Sequence, residues 1–212
     1  MPRPAAASAT REIEPHAGAA LMTSDALVVR DLVFACAAGI AIAAACGLRA
    51  FLPLLALGLG VRFGLVSVDP SAAWIGSTPA IVTLVWAAVL EIVADKVPAL
   101  DHLLDLVATA IRPMAAAIAA WCTFKAVHPA IAVAAALLLG AGAMGLHVTK
   151  AKVRLGSSML TFGGANPFLS FVEDAIAVGL AALALLAPIA GVAAAVTVVF
   201  MLRRVFRAPQ PR

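Results

Sequence analysis

The 212-residue chain is 64% hydrophobic and 12% charged, with a mean hydropathy of +1.06. A water-soluble domain is about half apolar and a quarter charged, so a soluble core of this size could not cover so much apolar surface, whereas a lipid bilayer would. The net charge of +4 comes from residues at the ends of apolar runs rather than along a surface stripe, which predicts a lipid partner and no nucleic acid.

The apolar runs are rich in Ala, Leu and Val and show no sustained period-2 alternation, which favours helices over barrel strands. We predict an all-α fold, a polytopic transmembrane helical bundle of about six crossings with broken or re-entrant helices. Residues 1–30 are predicted to be a disordered polar tail, 31–207 the transmembrane domain, and 208–212 a basic C-terminal end. A weak repeat divides the transmembrane domain into halves 31–124 and 127–207, which would be inverted if each half crosses an odd number of times.

The predicted runs, in chain order, cover residues 32–48, 51–68, 80–94, 103–124, 129–146 and 175–202. The second run contains a proline and glycines and is predicted to be short or broken. The third is predicted to start with Thr78 as N-cap and Pro79 at the first helical position. Arg112-Pro113 interrupts the fourth, and Pro188 makes the last a kinked helix or a hairpin.

Charged residues beside apolar runs are the informative ones, because each costs roughly 2.5–3.5 kcal/mol at the centre of a membrane helix. Glu91 and Asp95 are four residues apart and share a helix face, so their repulsion calls for a cation or a shared proton. Lys96 is adjacent in sequence but points about 100° away, so it need not be that cation. Arg49 is a lone cation between two apolar runs and is a candidate partner for a carboxylate of the other half.

Pro98 is predicted to start a helix on which Asp101, Asp105 and Arg112 fall within roughly 40° of one another. This acid-acid-base stripe has two interpretations: part of an ion pathway, or ordinary charges on a water-facing interfacial segment. A third rests on the Asp101-x-x-x-Asp105 spacing, which resembles the end of the metal-binding motif of membrane CDP-alcohol phosphotransferases. The upstream elements of that motif are missing.

His147, Lys150 and Arg154 lie at i, i+3 and i+7 and form one cationic helix face. This face is either part of a polar site or a helix end that contacts lipid head groups. Farther along, Asn166-Pro167 breaks the chain before Glu173 and Asp174. That pattern is typical of a discontinuous helix that exposes backbone groups to ions, or of a capped helix start with acids near its first turns.

Two basic clusters indicate the orientation through the positive-inside rule. They predict the inner membrane and a cytoplasmic C-terminus, and they consist of Lys150, Lys152 and Arg154, and of Arg203, Arg204 and Arg207.

Several segments together resemble an uncharacterised bacterial integral-membrane family, domain of unknown function 4126. They are the run 47–58 (GLRAFLPLLALG), residues 94–102 (ADKVPALDH), Ile111-Arg112-Pro113, Gly145-Leu146-His147 with Lys150, and the stretch from Asn166-Pro167 through Ser170 to Glu173-Asp174. The resemblance covers roughly residues 31–207. It implies a small multi-spanning inner-membrane protein and no particular activity.

Our functional interpretation is a transporter or channel for a small ion or solute that uses intramembrane carboxylates. The alternatives are a membrane enzyme acting on lipid-linked substrates, with Asp101 and Asp105 as metal ligands, and a structural scaffold. We predict no catalytic residue, metal site or cofactor, and a homo-oligomer is left open. The pathway candidates are Arg49, Glu91, Asp95, Lys96, Asp101, Asp105, Arg112, His147, Lys150, Asn166, Glu173 and Asp174.

Overall fold

The computed structural model describes residues 15–95, 98–124, 127–161 and 164–207, and within these ranges every regular element is a helix. Seven α-helices and one 3₁₀ helix follow in chain order: α1 (Pro15–Leu48), α2 (Phe51–Arg62), the 3₁₀ helix (Pro70–Gly76), α3 (Thr78–Ala94), α4 (Pro98–Thr123), α5 (Pro129–Thr161), α6 (Asn166–Leu186) and α7 (Pro188–Arg207). The chain divides into two compact units, residues 1–31 and 32–212, and the packing described below lies within the second.

Prolines begin most of these helices, because proline lacks an N–H that the first turn would leave without a partner. The N-cap of α3 is Ser77 and not Thr78 as predicted: its backbone is extended and its hydroxyl accepts a hydrogen bond from the Ala80 N–H at 3.4 Å. Thr78 is therefore already helical, and Pro79 occupies the second helical position.

Two helices are longer than the apolar pattern predicted. Helix α4 continues through Pro113 rather than stopping at it, and α5 runs beyond Leu146 to Thr161. The charged face of α5 is therefore helical and continuous with an apolar segment. The break at Pro188 produces a hairpin: Ala177 and Leu180 of α6 pack with Ala195 of α7, so the two helices run antiparallel.

Among the described residues, three helical segments are long and apolar enough to cross a membrane, namely Ala26–Leu48, Pro129–Met159 and Pro167–Leu186. A fourth span results if the 3₁₀ helix and α3, which meet at a bend of 57°, are counted as one. Two further apolar helical segments, Phe51–Arg62 and Val107–Thr123, are shorter. A polytopic helical bundle is thus confirmed, while the count of six crossings stays a prediction because it needs the shorter segments.

Glycines set the register between helices at two close approaches. A Cβ placed on Gly47 of α1 would lie 2.9 Å from the Leu146 Cβ and 3.0 Å from the Ala143 carbonyl oxygen of α5. A Cβ on Gly140 of α5 would lie 2.8 Å from the Pro113 carbonyl oxygen of α4. Side chains larger than hydrogen would push these helices apart, so small residues fix which turns of α1, α4 and α5 face one another.

Candidate functional site

Arg49 lies in the two-residue connection between α1 and α2 and is completely buried. Its guanidinium pairs with the carboxylates of Asp95, at the end of α3, and of Asp174, on α6, with 2.5 Å between Arg49 Nε and Asp174 Oδ1. It also donates to the hydroxyl of Ser170 at 2.8 Å. One guanidinium therefore joins both predicted halves of the chain, because a planar fork of five N–H groups can serve several acceptors at once.

A second group of pairs joins α5 to α3 and α6. Arg154 Nη2 lies 3.0 Å from Asp95 Oδ2 and 3.1 Å from Glu173 Oε2. Lys150 Nζ lies 2.7 Å from Glu173 Oε2 and donates to the carbonyl oxygen of Leu48, in the last turn of α1, at 3.2 Å. Asp95 is thus held between the guanidinium groups of Arg49 and Arg154, and Glu173 between Lys150 and Arg154.

The carboxylate of Glu91, a residue of α3, lies at the N-terminus of α2. Its two carboxylate oxygens accept from the backbone N–H groups of Ala50, at 2.9 Å, and Phe51, at 3.1 Å. Ala50 precedes α2 and has no side chain that could cap it, so a carboxylate from α3 takes that role. The Arg112 guanidinium of α4 lies 3.9 Å from Glu91 Oε1 and supplies the opposite charge.

His147 connects Arg112 to Thr109, both on α4. Arg112 Nη1 contacts His147 Nδ1, and His147 Nε2 lies 3.3 Å from Thr109 Oγ1. Because a guanidinium only donates, Nδ1 must be the acceptor and the ring proton must lie on Nε2, which then donates to the threonine hydroxyl. This hydrogen bonding corresponds to a neutral imidazole.

The buried ion network balances its charges. Among the described residues it holds four carboxylates, Glu91, Asp95, Glu173 and Asp174, and four cations, Arg49, Arg112, Lys150 and Arg154. The least buried of these side chains, that of Asp174, is 15% exposed. With His147 neutral the formal sum is zero, which offsets part of the cost of holding eight ionised groups away from water.

The network lies toward one end of the bundle. Helices α1 and α3 end at it, and α6 enters it within its first turns. The opposite end is marked by the 3₁₀-helix region and the start of α5, where Asp69, Phe124 and Pro129 line a cavity of about 210 Å³. His147 lies eighteen residues after Pro129, about 27 Å along α5 at 1.5 Å per residue, which is close to the hydrocarbon thickness of a bilayer.

The structure brings together eight of the twelve predicted pathway residues, listed in chain order as Arg49, Glu91, Asp95, Arg112, His147, Lys150, Glu173 and Asp174. Lys96 lies outside the described residues. Asp101, Asp105 and Asn166 lie on described helices, but their side chains are outside the description. The metal interpretation of Asp101 and Asp105 therefore stays a prediction.

The lipid-head-group interpretation of the α5 cationic face is wrong, because His147, Lys150 and Arg154 are at most 4% exposed. Lys150 and Arg154 neutralise carboxylates inside the bundle instead of flanking a span. They therefore carry no weight in the positive-inside argument, and the orientation rests on the exposed Lys152 and on the C-terminal arginines.

Sequence reasoning missed Ser170 and underrated Arg154. Ser170 lies three and four residues before Glu173 and Asp174, so helical spacing places it on the same face of α6. That spacing was the available signal, but a lone serine in an apolar helix is common. Arg154 continues the i, i+4 spacing from Lys150; it was included in the cationic face but not among the pathway candidates.

Charged side chains elsewhere have different roles. Arg62 ends α2 and donates to Thr78 Oγ1 at 2.9 Å on the exposed surface. Asp69 caps the 3₁₀ helix, and hydrogen bonds from the Ser71 hydroxyl and backbone N–H lower the pKa of its carboxyl. Both lie at the end of the bundle opposite the network.

The long apolar helices and the buried ion network define a polytopic helical membrane protein. The chain belongs to the family described as "Domain of unknown function (DUF4126)", whose profile matches residues 36–208. The family suggested by the sequence motifs is thereby confirmed. No match was found among curated proteins or solved structures.

Proposed function

We propose that this protein moves a small ion across the membrane by partner exchange within the buried ion network. The observation that carries the proposal is that Asp95 and Asp174, one from each predicted half, share the guanidinium of Arg49. Ionisable groups buried in a membrane bundle are costly, and replacing them by apolar side chains is often neutral or stabilising. The presence of so many ionisable groups in one buried network therefore favours a role beyond holding helices together.

The ion that this packing favours is the proton. The network is tightly paired, with N–O distances as short as 2.5 and 2.7 Å, and a proton can enter it without new space. Protonation of Asp174 would weaken its attraction to Arg49 and leave the guanidinium on Asp95 and Ser170. Deprotonation would restore the Arg49–Asp174 pair. Proton binding to this one carboxylate would therefore change the contacts that join the α1–α2 connection to α3 and α6.

The arrangement of the pairs also supports an origin in two repeats. Arg49–Asp174, Arg112–His147 and Asp95–Arg154 each join a residue of 31–124 to one of 127–207. Inverted repeats whose interface forms the ion site are a recurrent transporter architecture.

We place the protein in the inner membrane with Arg203, Arg204 and Arg207 on the cytoplasmic side. The test is a C-terminal fusion to a reporter enzyme that is active only outside the cytoplasm. Reporter activity in this fusion would contradict the placement.

The test is proton flux into vesicles. The purified protein is reconstituted in liposomes that contain a pH-sensitive dye, and a potassium diffusion potential set by valinomycin drives proton entry. We expect faster acidification than in protein-free vesicles, and we expect Asp174→Asn and Asp95→Asn to reduce it to the protein-free rate. The matched control is Asp31→Asn, since Asp31 is 58% exposed and pairs only with the exposed Arg30 among the described contacts.

A wild-type rate equal to that of empty vesicles, under proton, sodium and potassium gradients alike, would reject transport of these ions. The competing function is a structural scaffold, and the balance of four carboxylates by four cations among the described residues favours it. In that case the Asn variants would lose stability, but no variant would differ from wild type in flux.

A further inference from the structure

An apolar groove of about 640 Å³ lies between α1, α5 and α7, separate from the ion network. Its walls include Ile40, Gly142, Val196 and Phe200, and Val196 and Phe200 are 62% and 60% exposed. The volume is within the range of about 300–1,000 Å³ that is typical of small-molecule sites. Within the described part of the chain, Arg203 is the cation that lines the groove.

The cation lies at one end of the groove. Gly191 of α7 packs directly on Ala41 of α1, where a Cβ would lie 2.9 Å from the Ala41 Cβ. Farther along both helices, Ala195 packs in one cluster with Ala45 and Leu48. Helices α1 and α7 therefore run parallel to each other, and Arg203 lies beyond the level at which α1 ends. An apolar channel with an exposed guanidinium at its end matches an amphiphile with an anionic head.

We propose that this groove binds one anionic phospholipid, with an acyl chain along the groove and the phosphate on Arg203. Charge complementarity selects this occupant: a guanidinium pairs with phosphate through parallel N–H···O bonds, and a neutral helix of another protein would leave it without a partner. Thr149, also in the groove wall, already donates its hydroxyl to the Gly145 carbonyl at 2.8 Å, so Arg203 is the dominant contact for the head group.

Native mass spectrometry of the purified protein tests the proposal, with phosphatidylglycerol and phosphatidylcholine of the same acyl chains as probes. We expect tighter binding of phosphatidylglycerol. Arg203→Gln should weaken it about fivefold, as expected for one basic side chain near an anionic lipid surface, and should leave phosphatidylcholine unchanged. The control is Arg204→Gln, because Arg204 is the exposed neighbour and is not among the residues that line the groove.

Blocking the apolar part of the groove is the second arm. Gly142 lines the groove and a Cβ placed on it meets nothing within 4 Å, so Gly142→Leu introduces an apolar side chain at an open position of the groove wall. It should abolish binding of phosphatidylglycerol, whereas Gly179→Leu, at an equally open glycine on α6, should not.

Three results would overturn the proposal. Equal effects of Arg203→Gln and Arg204→Gln would indicate a diffuse basic surface. Competition by free glycerol phosphate at the same concentration would indicate a phosphate site without an acyl chain. A change in the dimer fraction on Gly142→Leu, with lipid binding unaffected, would assign the groove to a second copy of the chain.

Discussion

At the scale of single residues, Arg49 is the centre of the site. It is the first residue after α1, it is fully buried, and it contacts two carboxylates and a serine hydroxyl. An ammonium group cannot reproduce this arrangement, because a lysine presents one compact charge instead of a planar fork. The position therefore requires the guanidinium of arginine and not only a positive charge.

We predict that Arg49→Gln lowers the free energy of unfolding by about 3–5 kcal/mol, because it leaves two buried carboxylates without the cation that they share. Arg49→Lys should recover only part of this loss. Denaturant titration in detergent micelles measures both. The control is Arg30→Gln, which removes an exposed pair and should cost at most about 1 kcal/mol; equal losses for Arg49→Gln and the control would contradict the prediction.

Helical spacing predicted which residues belong to the network better than it predicted which of them form pairs. It placed Glu91 with Asp95, and His147 with Lys150 and Arg154, because residues three and four apart share a face. It did not predict that Asp95 would meet Arg154 or that Arg112 would meet His147. Those pairings depend on which turns of separate helices face one another, and the close approaches at Gly47 and Gly140 join residues that are far apart in the sequence.

At the scale of elements, α2 depends on α3 for its start. The carboxylate of Glu91 accepts the N–H groups of Ala50 and Phe51, so it caps α2 from a separate helix. We predict that Glu91→Gln destabilises the protein by about 1–2 kcal/mol, because an amide offers one acceptor oxygen in place of two and removes the charge facing Arg112.

Thermal unfolding in micelles, followed by circular dichroism, measures this effect. The control is Asp69→Asn at the exposed cap of the 3₁₀ helix, where the amide oxygen keeps the capping acceptor, so a smaller change is expected than for Glu91→Gln. If Glu91→Gln unfolds at the wild-type temperature, the carboxylate does not hold α2.

Close helix approach gives a second prediction at this scale. Gly47→Ala would place a Cβ 2.9 Å from the Leu146 Cβ, so α1 and α5 must separate, with an expected loss of about 1–3 kcal/mol. Gly179→Ala is the matched control, because its Cβ would meet nothing within 4 Å and the substitution should stabilise the helix by roughly 0.5–1 kcal/mol. Denaturant titration should therefore give shifts of opposite sign; shifts of the same sign would show that the approach is not tight.

The elements also show where local patterns mislead. The sequence predicted a break at Pro113, yet α4 continues through it, and α5 packs so closely there that only a glycine, Gly140, fits beside the Pro113 carbonyl. The apolar run that ends at Leu146 covers only the first part of α5, and the helix continues through the cationic face because buried carboxylates neutralise its cations. Apolar periodicity cannot detect a polar helix face that is buried against opposite charges.

At the scale of the whole molecule, a variant that keeps the charges of the network balanced can distinguish ion transport from a structural scaffold. Lys150 and Glu173 form a pair at 2.7 Å that can be removed together with no change in net charge. Arg154 would then keep Asp95 as a partner at 3.0 Å. The double variant Lys150→Met/Glu173→Gln should therefore fold, although each single variant disturbs the balance.

We predict that the double variant is more stable than the sum of the two single effects implies, by roughly 1–3 kcal/mol, because neither charge is left buried without the other. The control is Arg30→Met/Asp31→Gln, an exposed pair whose effects should add. Denaturant titration gives the coupling, and dye-loaded vesicles give the flux of the same preparations. A stable double variant with no flux would mean that the network carries the ion, since its architecture survives while its exchangeable charges do not. A stable double variant with wild-type flux would show that this pair only holds α5 against α6.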